Sequence, residues 1–220
     1  MELKRAVVVA NGEVTDLELI KALIRPEDHI IAVDGGLRHL PALNRDPLLL
    51  IGDLDSVLPS EVEELRGKGI EIIRYPVEKD ETDLELAILK VVERGYPSIL
   101  LVGVTGGRLD HTLGNLYLLL LPQLEGIEIS AETGSEEIFL IRSSRRILGK
   151  KGDRVSLLPF KGEVHGVQTR GLQYPLLKET LFMEKSRGIS NVMTADQAEV
   201  IVESGCLLCI HTRMDHLEEK

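Results

Sequence analysis

The sequence predicts an α/β fold, a mostly parallel sheet flanked by helices, followed by an all-β half of sandwich or barrel type. Three observations predict it. Up to about residue 133, short Leu-, Ile- and Val-rich runs alternate with amphipathic stretches. Four of those runs lead into a polar cluster that contains Asp, three of them with Gly as well. Beyond residue 133 helical periodicity disappears, and short strand-like stretches follow one another with turn residues between them. Alternating strands and helices imply parallel strands with helices on both faces. Two domains are therefore expected, 1–133 and 134–220, with no repeat or long linker between them.

Taken in order, strands are expected at residues 5–10, 29–33, 48–51, 71–75, 99–104 and 127–131, all short and mostly β-branched or Leu-rich. Helices are expected between them, at 15–24, 36–43, 59–68, 82–94 and 110–121. Pro59 and the acidic residues after it mark a helix start, and the Gly67 and Gly69 region marks its end. Thr82 and Glu85 have the spacing of a capping box, with Asp83 favourable in the first turn. The second half reads as strands at 138–142, 154–159, 164–169, 180–183, 199–203 and 206–212. Gly134-Ser135 and the segment from Gly149 to Asp153 supply turns.

Composition limits the function. A formal net charge of -10 argues against a general nucleic-acid binder, which needs Lys and Arg to neutralise phosphates. It leaves room for a single nucleotide, because one local cation and a divalent ion can neutralise a polyphosphate. With 3% aromatic residues and no Trp, Leu, Ile and Val must build the core. The N-terminal stretch lacks a signal-type apolar region, and no run approaches membrane-spanning length. A cytoplasmic protein without a membrane partner is the expectation. Cys206 and Cys209 are spaced as CxxC, but in a strand-like run that spacing points them to opposite faces, and a zinc site needs more ligands. They are expected to be buried, inert thiols.

The four polar clusters are Asp34-Gly35-Gly36, Gly52-Asp53-Leu54-Asp55-Ser56, Lys79-Asp80-Glu81-Thr82-Asp83 and Gly106-Gly107-Arg108-Leu109-Asp110-His111. In an open parallel sheet, loops at the carboxyl ends of the strands share one edge and form the ligand crevice. Asp53 and Asp55, two apart after a glycine exit, suit Mg²⁺, which takes one or two carboxylates and completes its shell with water and phosphate. An Asx turn that merely ends the strand is the plainer alternative. Asp83 is a further carboxylate at the same edge, beside Lys79 and Asp80, although a helix cap alone would explain Thr82. After Thr105, Gly106 and Gly107 can bring backbone N–H groups close to a phosphate, and Arg108 can clamp an oxyanion. Asp110 is either a helix cap or a site residue. Asn11-Gly12 occupies the same edge. In the second half, the loops holding Tyr174 and Ser190-Asn191 read as turns that offer an aromatic face and hydrogen-bonding groups.

In this order and spacing, and with Asn115, Gly171-Leu172 and the all-β tail added, the motifs resemble the thiamine pyrophosphokinase family over nearly the whole chain. The resemblance implies an N-terminal ATP- and Mg²⁺-binding catalytic domain, a C-terminal thiamine-binding domain, and a homodimer with active sites between subunits. It implies attack of the thiamine hydroxyethyl oxygen on the β-phosphorus of ATP, giving thiamine diphosphate and AMP. By that similarity Asp53, Asp55 and Asp83 are the metal carboxylates, with Arg108 and Asp110 by the transferred group. Asp34, Gly35, Gly36, Lys79, Asp80 and Thr82 would serve the nucleotide, as would Thr105, Gly106, Gly107, His111 and Asn115. Tyr174, Ser190 and Asn191 would receive thiamine. Either Asp83 or Asp110 would take the hydroxyl proton. A pyrophosphokinase for another hydroxymethyl heterocycle, such as a pterin, and a Mg²⁺-dependent nucleotide hydrolase are the competing readings, ahead of a non-catalytic nucleotide sensor.

Overall fold

The computed structural model describes residues 4–214, and the chain divides into two compact units, Met1–Gly134 and Ser135–Lys220. In the first unit, β1 (Ala6–Val9), β2 (His29–Val33), β3 (Leu49–Gly52), β4 (Glu71–Arg74), β5 (Ser98–Val102) and β6 (Glu128–Glu132) stand in the order β6-β5-β1-β2-β3-β4. Every neighbouring pair is parallel. The chain steps outward from β1 to β4 on one side, then crosses to β5 on the other. This makes β1 the strand at which the winding reverses, the place where open α/β sheets bind ligands.

The helices are α1 (Leu17–Leu23), α2 (Leu40–Leu43), α3 (Pro59–Gly67), α4 (Asp83–Glu93) and α5 (Leu109–Tyr117). Val7, Val9, Ala32, Leu50, Leu100 and Val102 of the strands pack with Ile20 of α1, Leu40 and Leu43 of α2, and Val62 and Leu65 of α3. The alternate strand residues Val8, Ile31, Ile51 and Leu101 are equally buried, and α4, which buries Leu84, Ala87, Ile88 and Val91, contacts β1, β2 and β3. Burial of both residue sets explains the continuous apolar runs in the sequence.

Two expected helices differ. Residues 36–43 begin instead in a 3-10 segment, Asp34–His39, and only its last part becomes α2. Gly35 and Gly36 are buried there because the backbone passes directly over strand β1: a Cβ on Gly36 would collide with the Val9 carbonyl. The expected helix 110–121 ends as α at Tyr117 and continues as two 3-10 turns, Leu118–Leu120 and Pro122–Leu124. Pro122 lacks an N–H and disfavours helical backbone at the preceding residue.

The second unit is all antiparallel. One set runs β12 (Asn191–Val192), β9 (Arg154–Pro159), β14 (Leu207–Thr212), β7 (Glu136–Ile141). The other runs β11 (Leu177–Leu181), β10 (Val164–Arg170), β13 (Gln197–Ile201), β8 (Ser144–Leu148). Phe139, Val155, Leu157 and Cys209 of the first set share one core with Ile147, Val164, Val167 and Val200 of the second, which makes a sandwich. Strand β8 went unread in the sequence because Ile147 is its one buried residue, and β12 because it has two residues. β11 lies earlier than the expected 180–183. Cys206 and Cys209 are free and buried, and burial pushes both thiols up.

A buried ionisable pair, His211 and Asp153, lies inside this unit. His211, 1% exposed, sets its Nε2 3.0 Å from Asp153 Oδ2, with Glu137 3.8 Å from its Nδ1. Asp153 also accepts from the Lys150 N–H at 2.8 Å and the Met214 N–H at 3.1 Å. Burial opposes the charge on both partners. The two N–H groups and His211 nonetheless hold the Asp153 carboxyl below its usual range, while Glu137 and Asp153 raise the His211 imidazole.

Candidate active site

At the carboxyl edge of the first sheet, Asp34 follows β2 and Asp53 and Asp55 follow β3. Gly52 makes the sharp exit at φ +151°, which brings the loop against Asp34. Asp34 itself takes φ +45° and Leu54 φ +66°, a conformation uncommon for residues with a Cβ. The result is one cluster: Asp34, Asp53 and Asp55 each offer an oxygen, and the three atoms lie within 4.8 Å of one another. The Asx turn is also present, since Asp53 Oδ1 accepts from the Asp55 N–H at 3.0 Å. Asp34 Oδ1 is buried without a hydrogen-bond partner. An all-oxygen set of like charges with an unsatisfied buried oxygen fits a hard divalent cation such as Mg²⁺.

Asp83 is adjacent but differently engaged. Lys79 Nζ lies 3.1 Å from its Oδ1 and 3.8 Å from Asp53 Oδ2. Burial raises the Asp83 pKa, Lys79 counters it, and the nearby Asp53 and Asp34 add to the rise. Among the described residues, then, the converging metal-type group contains Asp34, which the sequence had set with the nucleotide, whereas Asp83 stands with Lys79. Thr82 caps α4, its Oγ1 accepting from the Glu85 N–H at 3.2 Å. Asp80 is exposed.

Beside the cluster lies a cleft of about 800 Å³, lined by the loops that follow β1 and β5, the two strands flanking the reversal. These loops are laced together: Gly12 N–H donates to the Gly103 carbonyl at 2.6 Å and Glu13 N–H to the Thr105 carbonyl at 2.8 Å. Thr105, Gly106, Gly107 and Arg108 form one wall, with Gly106 at φ +88° and Gly107 at φ +65° turning their backbone in ways that favour glycine. Asp110, His111 and Asn115 of α5 also line it, as do Asp34, Thr82 and Asp83. Asn115 is fixed by donating to the Val104 carbonyl at 2.8 Å. Gly35 and Gly36 lie buried behind this surface rather than on it.

Arg108 is exposed and forks onto Asp110, with Nη2 to Oδ2 at 2.5 Å and Nε to Oδ1 at 3.1 Å. Arg108 in turn holds the Asp110 carboxyl below its usual range. The cap reading of Asp110 does not hold, because Arg108 occupies the N-cap position of α5 and Asp110 lies in the first turn. Sequence reasoning missed Arg38, which lines the cleft and donates to the Asn11 carbonyl at 2.8 Å. Its signal was its place four residues after Asp34, which an expected amphipathic helix disguised as surface charge.

In the second unit, Tyr174, Ser186, Arg187, Gly188, Ile189 and Asn191 line a cavity of about 360 Å³. Buried Asn191 clamps the Tyr174 loop: its Oδ1 accepts from the Tyr174 N–H at 3.0 Å and its Nδ2 donates to the Tyr174 carbonyl at 2.7 Å. These bonds occupy most of the groups that the sequence reading assigned to a bound ring, so Asn191 chiefly shapes the loop. Ser190, at φ +55°, is exposed next to this wall and not part of it.

The family model "Thiamin pyrophosphokinase, catalytic domain" matches residues 20–131, which contain the aspartate cluster and most of the cleft. A second, "Thiamin pyrophosphokinase, vitamin B1 binding domain", matches residues 140–207. The chain belongs to the thiamin pyrophosphokinase family. It is thereby a pyrophosphotransferase. The thiamine pyrophosphokinase of Bacillus subtilis is 28% identical over 184 residues, 83% of this chain and 86% of that protein. A crystal structure of the B. subtilis thiamine pyrophosphokinase superposes with a TM-score of 0.85 at 26% identity, over 96% of this chain and 99% of that one. The thiamin pyrophosphokinase of Geobacillus thermodenitrificans gives 0.79 at 26% identity, over 94% and 97%. The thiamin pyrophosphokinase fold, a parallel α/β unit and an antiparallel sandwich, is thus the one expected from the sequence.

Proposed function

We propose that this chain transfers the pyrophosphoryl group of ATP to the hydroxyethyl oxygen of thiamine. The observation that carries it is the Asp34–Asp53–Asp55 cluster, with its unpartnered buried oxygen, set beside a glycine-walled cleft at the sheet's reversal point. Asp34, Asp53 and Asp55 would hold Mg²⁺, with Asp83 close by. A bound Mg²⁺ would supply charge neutralisation for the polyphosphate. The Gly106-Gly107 backbone and Arg108 would take the polyphosphate, and Arg38, which also lines the cleft, would serve the nucleotide. The loop held by Asn191 would receive thiamine, with Tyr174 offering a ring face.

In the reaction the thiamine hydroxyl gives its proton to solvent or to Asp83 as its oxygen bonds to the β-phosphorus, the bond from that phosphorus to the α,β-bridging oxygen breaks, and AMP leaves with that oxygen. Positioning and charge neutralisation supply most of the effect in such transfers. Asp110 holds Arg108 through both oxygens, which suits it to orienting that guanidinium rather than to accepting the hydroxyl proton. The homodimer and the cytoplasmic location belong to the same proposal. Light scattering on the purified protein reads the first, and fractionation of cells the second.

Incubation with Mg²⁺-ATP, with and without thiamine, tests the reaction, with AMP and thiamine diphosphate followed by chromatography. Equal, thiamine-dependent formation of both products is expected. Release of ADP or phosphate regardless of thiamine would make the protein a hydrolase, and turnover with a hydroxymethyl pterin in place of thiamine would change the acceptor.

A further inference from the structure

Lys79 lies in the loop between β4 and α4, with 11% of its side chain exposed. Its ammonium donates to the Pro76 carbonyl at 3.0 Å and forms ion pairs with Asp83 Oδ1 at 3.1 Å and, more loosely, Asp53 Oδ2 at 3.8 Å. Asp53 belongs to the three-carboxylate group within 4.8 Å. The ammonium therefore stands between Asp83, the first residue of α4, and Asp53, which in turn converges with Asp34 and Asp55. Like charges at such distances repel strongly in a partly desolvated site, and an opposite charge among them favours their ionised, converged arrangement. The same positive charge repels a divalent ion that comes to Asp53. A phosphate arriving with the ion changes the balance, because it gives the ammonium another anionic partner as the ion takes the carboxylate.

We propose that Lys79 is the resident counter-ion of this site, holding Asp53 and Asp83 together in the metal-free protein and disfavouring a divalent ion that arrives without its polyphosphate. Lys79 is in this sense a positioning residue that makes the site selective for the metal–nucleotide complex over the bare ion. The inference rests on the metal reading of the aspartate cluster and extends it from which residues bind to which form of the ion is taken.

Mn²⁺ alone, in the absence of any nucleotide, provides the probe. The free ion is counted by its paramagnetic resonance signal at fixed ionic strength, on wild type, Lys79→Met, Lys79→Arg and Asp53→Asn, each checked for folding by circular dichroism. Lys79→Met is expected to bind Mn²⁺ at least about fivefold more tightly than wild type, since a nearby positive charge is gone. Lys79→Arg, which keeps the charge, should stay near wild type, and Asp53→Asn should bind far more weakly. Unchanged or weaker Mn²⁺ binding by folded Lys79→Met, alongside the expected loss in Asp53→Asn, would overturn the counter-ion role and leave the metal site standing. No Mn²⁺ binding by either wild type or Lys79→Met, or Mn²⁺ binding by Asp53→Asn equal to wild type, would instead remove the metal reading and the inference with it. Lys79→Gln, polar and neutral, answers the same question if the Met variant does not fold.

Discussion

At Asp53 a single carboxylate serves two purposes, closing an Asx turn onto the Asp55 N–H and facing Asp34 and Asp55 as a candidate ligand. The two separate in Asp53→Asn, because an amide oxygen still closes the turn while the anionic charge disappears. Turnover is expected to fall about 100-fold or more with a melting temperature close to wild type, read by product formation and thermal unfolding. His211 supports a different test. Its pKa is raised in the folded protein, so its stabilisation is complete below the unfolded value of about 6.5 and is lost as pH rises through the raised value. Asp153 behaves oppositely: its pKa is lowered, so its share is present above about 3.9 and lost as pH falls through the lowered value. Melting temperature should therefore decline on the alkaline side, and His211→Gln should flatten that decline.

Among the elements, the 3-10 segment Asp34–His39 does what a regular helix could not, laying Gly36 on the end of β1. Gly36→Ala would set a methyl group against the Val9 carbonyl and should cost about 1–3 kcal/mol by urea unfolding. Thr82→Ala removes the cap of α4, a loss of about 1 kcal/mol by the same measurement. The sequence revealed the strands of the parallel sheet and the loops after them, since fully buried strands leave unbroken apolar runs and functional loops leave Asp and Gly. It concealed what depends on proximity across the fold. The spacing of residues 36–43 fits an amphipathic helix equally well, and the close approach of Gly36 to the Val9 carbonyl is not legible in it. Arg38 was hidden for the same reason. Asp34 was recognised as a loop carboxylate, but its meeting with Asp53 and Asp55 follows from the parallel pairing of β2 with β3.

For the molecule as a whole, the chain divides into two units, and the two candidate sites lie in different units. Substitutions should therefore separate by substrate. Asn191→Ala frees the Tyr174 loop and should raise KM for thiamine about fivefold while leaving KM for ATP near wild type. Arg38→Ala should do the reverse, and steady-state kinetics with each substrate varied in turn distinguishes them. The net charge of -10 operates at this scale too, and retardation of duplex DNA by the protein at physiological salt is not expected. The two cysteines have a practical consequence. Both thiols are buried, Cys206 at 5% exposure and Cys209 in the sandwich core at 0%. A thiol-reactive dye added to the native protein can then reach Cys209 only as fast as the sandwich opens, so the unmodified chain carries its own stopwatch for the breathing of one unit.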